Sequence, residues 1–180
     1  MSMNGGDITN LTNILIESCR EASDLLGLEL SRVEPKEEFA CHAPVAAVVG
    51  ICGEGLRATV TTVAPYSFMC ETYPLELKKG ADAALDVLDW TGEIANQIVG
   101  MVTNRLASTG VEAYASIPKV ILTEHLSNVS LARGSLCELR FVAKAGCMGI
   151  WLDAVSGSGN EGGTKVESGG TSAAGALVIF

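Results

Sequence analysis

Apolar side chains recur along this chain with two different periods, and the switches between them mark out the elements. From Ile8 to Leu26, the residues Ile8, Leu11, Leu15, Cys19, Ala22 and Leu26 fall on one stripe at helical spacing, with Gly27 placed to end it. The pattern predicts an amphipathic opening helix. Two strand-like runs follow, Val45 to Cys52 and Leu56 to Val63, separated by Gly53-Glu54-Gly55, which suits a hairpin. The second run sets Leu56, Ala58, Val60 and Thr62 against Arg57, Thr59, Thr61 and Val63, so one of its faces is expected to be wet. A short helix or loop is expected between Pro65 and Lys79.

Ala83 to Leu106 contains no proline and two glycines, and predicts one long helix. At about 100° per residue, Val87, Leu88, Thr91, Ile94, Ala95, Ile98, Val99, Val102 and Leu106 share one half of the cylinder. Asp86, Asp89, Glu93, Asn96, Gln97, Gly100, Thr103 and Asn104 collect on the other. After Pro118 come three strand candidates, Val120 to His125, Ser135 to Ala143 and Met148 to Val155, the last two joined by a turn at Gly146. Helix, hairpin, long helix and three strands make an α+β, two-layer sandwich: long helices on a largely antiparallel sheet. No internal repeat is seen.

Ser156 to Gly175 is Gly, Ser, Thr and charge, with no apolar face to bury, and is expected to be a flexible tail. It ends in five apolar residues, Ala176 to Phe180, suited to docking as an edge strand or to carrying a partner-binding motif. One domain over 1–155 with a tail over 156–180 is the expected organisation; 180 residues of which 48% are apolar suffice for one buried core.

Charge narrows the classes of partner. Twelve Lys and Arg against 21 Asp and Glu give a net charge of -9, which repels a phosphate backbone or an anionic membrane surface. The longest apolar run, Pro44 to Cys52, falls well short of the roughly 20 residues a bilayer span requires. The first residues lack the basic and apolar blocks of a signal peptide, so a cytoplasmic protein is expected. Six cysteines without a C-x-x-C read as reduced, buried packing thiols. His42 and His125 have no ligand spacing with Cys, Asp or Glu, and no metal site is expected. Gly53-x-Gly55-x-x-Ala58 fits the outline of a dinucleotide-binding loop but precedes a strand, leaving no helix amino terminus for a pyrophosphate. There is no G-x-S-x-G and no P-loop.

The chemistry therefore concentrates on the outer arc of the long helix. Polar residues on a helix usually form only a solvated face. Here Glu93 and Asn96 are neighbours at i and i+3, and Gly100 follows one turn later without a Lys or Arg among them. A glycine in a helix costs about 1 kcal/mol against alanine, which points to a close approach to the backbone.

Asp89-x-x-x-Glu93-x-x-Asn96, then Gly100, then a strand introduced by Pro118, resembles the signature of the CheC/CheX/FliY chemotaxis phosphatases. The order of elements agrees over roughly residues 8 to 155, and the single E-x-x-N helix is similar to the CheX type rather than to the tandem CheC type. The resemblance implies a CheC-like or CheX-like fold and hydrolysis of the aspartyl phosphate of a phosphorylated, CheY-like response regulator. In that role Asn96 would orient the attacking water and Glu93 would pair with the regulator's lysine. Asp89 and Gly100 would lie in the partner-binding surface. The regulator would bring the phosphoryl group and its Mg²⁺, so that no cofactor of the chain's own is implied. A homodimer joined through the sheets is implied as well. The alternative is a docking domain of the same fold that binds a signalling partner without hydrolysis.

Overall fold

The computed structural model describes residues 5–34, 41, 43–53, 55–77, 80–122 and 135–156. The opening helix, α1 (Gly5–Leu26), ends at Gly27, whose φ of 67° is left-handed and carries no Cβ penalty. A three-residue strand, β1 (Ser31–Val33), leads to the hairpin of β2 (Pro44–Gly53) and β3 (Leu56–Pro65). The hairpin pairs along its whole length, from Pro44 opposite Pro65 to Gly53 opposite Leu56. A short helix, α2 (Tyr66–Thr72), precedes the long one, α3 (Ala81–Ser108). The chain then returns along β2 as β4 (Ala113–Ala115) and β5 (Lys119–Leu122), and closes with the hairpin of β6 (Ser135–Ala143) and β7 (Gly146–Ser156).

All pairings are antiparallel, in the order β1-β6-β7-β3-β2-β4, and β5 pairs with the other half of β2. The expected α+β sandwich, a largely antiparallel sheet with long helices on it, is the fold observed. Between β4 and β5, Ser116 holds the edge through two bonds. Its backbone N–H donates to Gly50 O at 2.8 Å and its Oγ accepts from Gly50 N at 2.9 Å. Pro118 then falls in the gap between the strands, where its missing N–H costs no ladder bond. At Gly53 a Cβ would collide with the carbonyl oxygen of Glu112, so only glycine lets β4 run this close to β2.

The main core lies between the helices and one sheet face. It combines Leu11, Leu15 and Cys19 of α1, alternate residues of β2, β3, β6 and β7, and the inner half of α3. The expected wet face of β3 is only partly so: Arg57 is exposed and Thr59 half-buried, but Thr61 and Val63 are buried. Val63 joins Ala46 and Trp151 in a second, small cluster on the face away from the helices, because the broad Trp151 ring lies over that end of the sheet.

None of the cysteines forms a disulfide among the described residues, and the expectation of buried packing thiols holds fully for Cys19 alone. Cys41, Cys70, Cys137 and Cys147 are half-buried, and Cys52 is exposed, because strand alternation turns it to the face away from the helices at the sheet's end. Among the described residues no helix is long and apolar enough to cross a membrane, and no three His, Cys, Asp or Glu side chains come together as a metal site. His42, His125 and residues 157–180, which include the expected tail and its apolar end, lie outside the described residues.

Candidate functional site

Helix α3 is the rod on which the candidate residues stand. Its 28 residues span about 42 Å at 1.5 Å per residue. Asp82 in the first turn and Arg105 in the last complement the helix dipole. Val87, Thr91, Ile94, Ala95, Ile98, Val99, Val102 and Leu106 are buried and Leu88 is partly buried against the core, as the periodicity predicts. Two contacts keep the rod from rolling. Arg105 Nη2 donates to Glu21 Oε2 of α1 at 2.7 Å, and Trp90 Nε1 donates to Thr72 Oγ1 of α2 at 3.2 Å, with the Trp90 ring edge-on to Tyr73.

With one half of α3 fixed on the sheet, the opposite arc is presented to solvent. Asp89, Glu93, Asn96 and Asn104 are exposed, and Gln97, Gly100 and Thr103 are half-exposed. Asp86, expected on the same arc, is instead buried. It lies one turn before Trp90, which bonds to Thr72 of α2 and packs edge-on against Tyr73, contacts the periodicity of α3 alone does not contain.

The carboxamide of Asn96 makes no hydrogen bond among the described residues and is free to take a water or a partner group. Glu93, one turn earlier, accepts a bond of 2.6 Å at Oε1 from Gln97 Nε2 and makes no other bond or ion pair among the described residues. Asp89 extends the acidic stripe by a further turn. A Cβ added at Gly100 would meet nothing within 4 Å, so the chain's own packing does not require glycine there. Gly92, on the side of α3 that faces β5, would place a Cβ in ordinary contact with Val120 at 3.4 Å. The four residues singled out from the sequence thus share one open surface. Gln97 was left without a role by sequence reasoning, although its i+4 spacing from Glu93 is a visible signal.

No family model and no curated protein matches the sequence. Solved structures do. The chemotaxis protein CheX from Vibrio vulnificus superposes with a TM-score of 0.69 at 20% identity, covering 81% of this chain and 96% of that one. A CheC-like superfamily protein from Shewanella sp. PV-4 superposes with a TM-score of 0.69 at 19% identity, covering 85% and 99%. The fold is that of the CheX and CheC-like proteins. A third structure with this fold is the CheX-CheY-BeF3-Mg²⁺ complex from Borrelia burgdorferi, with a TM-score of 0.67 at 12% identity, covering 79% of this chain and 96% of that one.

Proposed function

We propose that this chain is a CheX-like phosphatase that hydrolyses the aspartyl phosphate of a phosphorylated, CheY-like response regulator. An acyl phosphate is already activated, and its loss to water passes through a loose transition state in which the protein mainly positions groups and balances charge. The site needs few parts for that task. Asn96 accepts from and donates to one water, holding it in line with phosphorus without a basic group that would itself titrate. As the water oxygen bonds to phosphorus, the bond to the aspartyl oxygen breaks. The products are inorganic phosphate and the regulator's free carboxylate.

Glu93 pairs with a lysine of the regulator's active site and sets the register of docking by a charge-assisted contact. Asp89 and Gly100 belong to the surface that the regulator covers, with Gly100 admitting a loop close to the helix backbone. The regulator supplies the phosphoryl group and its Mg²⁺. The observation that carries this reading is the free, outward carboxamide of Asn96 beside Glu93 on a helix fixed by the core. The CheX complex with a BeF3-bearing CheY supports the choice of partner class.

The test is the decay of phosphorylated receiver domains with and without a small fraction of an equivalent of this chain, followed by release of phosphate. Multiple turnovers are expected, and Asn96→Ala should lower the acceleration by about 100-fold or more while docking remains measurable. Binding without turnover would instead identify a docking domain, and full activity in the Asn96→Ala variant would discard the mechanism. A homodimer in a cytoplasmic setting completes the proposal. Sedimentation should then give twice the 18.7 kDa of the chain.

A further inference from the structure

Glu93 has two carboxamides within one turn, Asn96 at i+3 and Gln97 at i+4, and only one of them bonds to it. Gln97 Nε2 lies 2.6 Å from Glu93 Oε1, a short, charge-assisted contact, whereas Asn96 is left free. The donor is neutral, so it sets no positive charge beside the carboxylate. The only cation of α3, Arg105, is twelve residues further on, about 18 Å along the axis, and is already held by Glu21.

An exposed glutamate that must meet a lysine on another protein would otherwise sample many rotamers, and losing that freedom on docking weakens association. A bond to one carboxylate oxygen fixes the rotamer before the partner arrives and leaves the second oxygen unused among the described residues. Resting on the role given to Glu93 above, we propose that Gln97 is a positioning residue. It holds the Glu93 carboxylate, with no cation set against it, in the orientation that receives the regulator's lysine.

A pair at i and i+4 also stabilises an isolated helix slightly, and the experiment must separate that from positioning. Initial rates of phospho-receiver decay, with receiver concentration varied, are to be measured for the unmodified chain, Gln97→Met and Gln97→Lys. Gln97→Met and Glu93→Ala are also combined. Methionine keeps the length of the side chain but cannot donate, and should raise KM about two- to tenfold, the effect of leaving one flexible side chain to be ordered on binding, with kcat within about twofold. Lysine makes the stronger helical pair with Glu93 but neutralises it. If helix support were the role, Gln97→Lys would match the unmodified chain; a positioning role requires its KM to exceed that of Gln97→Met.

In the Glu93→Ala background, Gln97→Met should change nothing further. An unchanged KM for Gln97→Met, or the same rise with and without Glu93, would overturn the positioning role while leaving the phosphatase standing. Failure of the unmodified chain to speed decay at all would remove the phosphatase reading and this role together.

Discussion

At the scale of single residues, the site is defined by what its side chains do not do within their own chain. Asn96 bonds to nothing among the described residues, and Gly100 leaves open space where a side chain could stand. Glu93, beside Asn96, and Gly100 make separable predictions. Glu93→Ala removes one charge-assisted contact, worth about 1.5–3 kcal/mol, and should raise KM for the phospho-regulator by roughly 10- to 100-fold with little change in thermal midpoint. Gly100→Ala should instead raise stability, by about 1 kcal/mol, because alanine is the better helix former and meets no neighbour. If the regulator's backbone approaches this turn, the same variant loses affinity. A melting curve that rises while KM also rises is the expected signature, and a more stable variant with unchanged KM would show that Gly100 lies outside the footprint.

At the scale of elements, α3 shows why one half of a helix was legible and the other half less so. Its inner residues follow from periodicity, because burial against a sheet requires an apolar stripe and nothing else competes for those positions. The flank is different: Asp86 is buried although polar, and Trp90 is held by Thr72 of α2 and by Tyr73, which belong to another part of the chain. Strands β1 and β4 escaped notice for a related reason. They are three residues long and largely exposed, and exist as strands through backbone pairing to β6 and β2 rather than through any alternation of their own. Since the outer arc does not contribute to the core, fold and chemistry should separate under mutation. Ile98→Ala, at 1% exposure on the inner half, should cost about 2–5 kcal/mol of stability, read by denaturant unfolding, while kcat of the folded fraction is retained.

The cysteines test the packing of the remaining elements. Burial in α1 pushes the Cys19 thiol far up, and burial followed by the charge of Cys147 pushes Cys41 up to about 11. Raising a thiol pKa suppresses the reactive thiolate below it, so alkylation of Cys41 should stay slow near pH 8 and accelerate as pH climbs toward 11. Cys52, exposed on β2, should be modified first and Cys19 only on unfolding, and mass-resolved labelling of the native protein reads that order.

At the scale of the whole molecule, the buried core among the described residues begins at Leu11 and ends at Ala154. Strand β7 is interior to the sheet, paired with β3 as far as Ser156 and with β6 as far as Ala154, and a truncation must leave it whole. A chain ending at Asn160 satisfies that condition and removes most of the glycine-rich segment and all of the apolar residues Ala176 to Phe180. Composition alone is what marks that segment as an expected tail, because without an apolar face it has nothing to offset the entropy of ordering. If hydrolysis needs only the arc of α3, the shortened protein should keep the thermal midpoint, kcat and KM of the full chain. A drop in midpoint would mean that Ala176 to Phe180 completes the sheet, while a raised KM at unchanged midpoint would place those residues on the regulator.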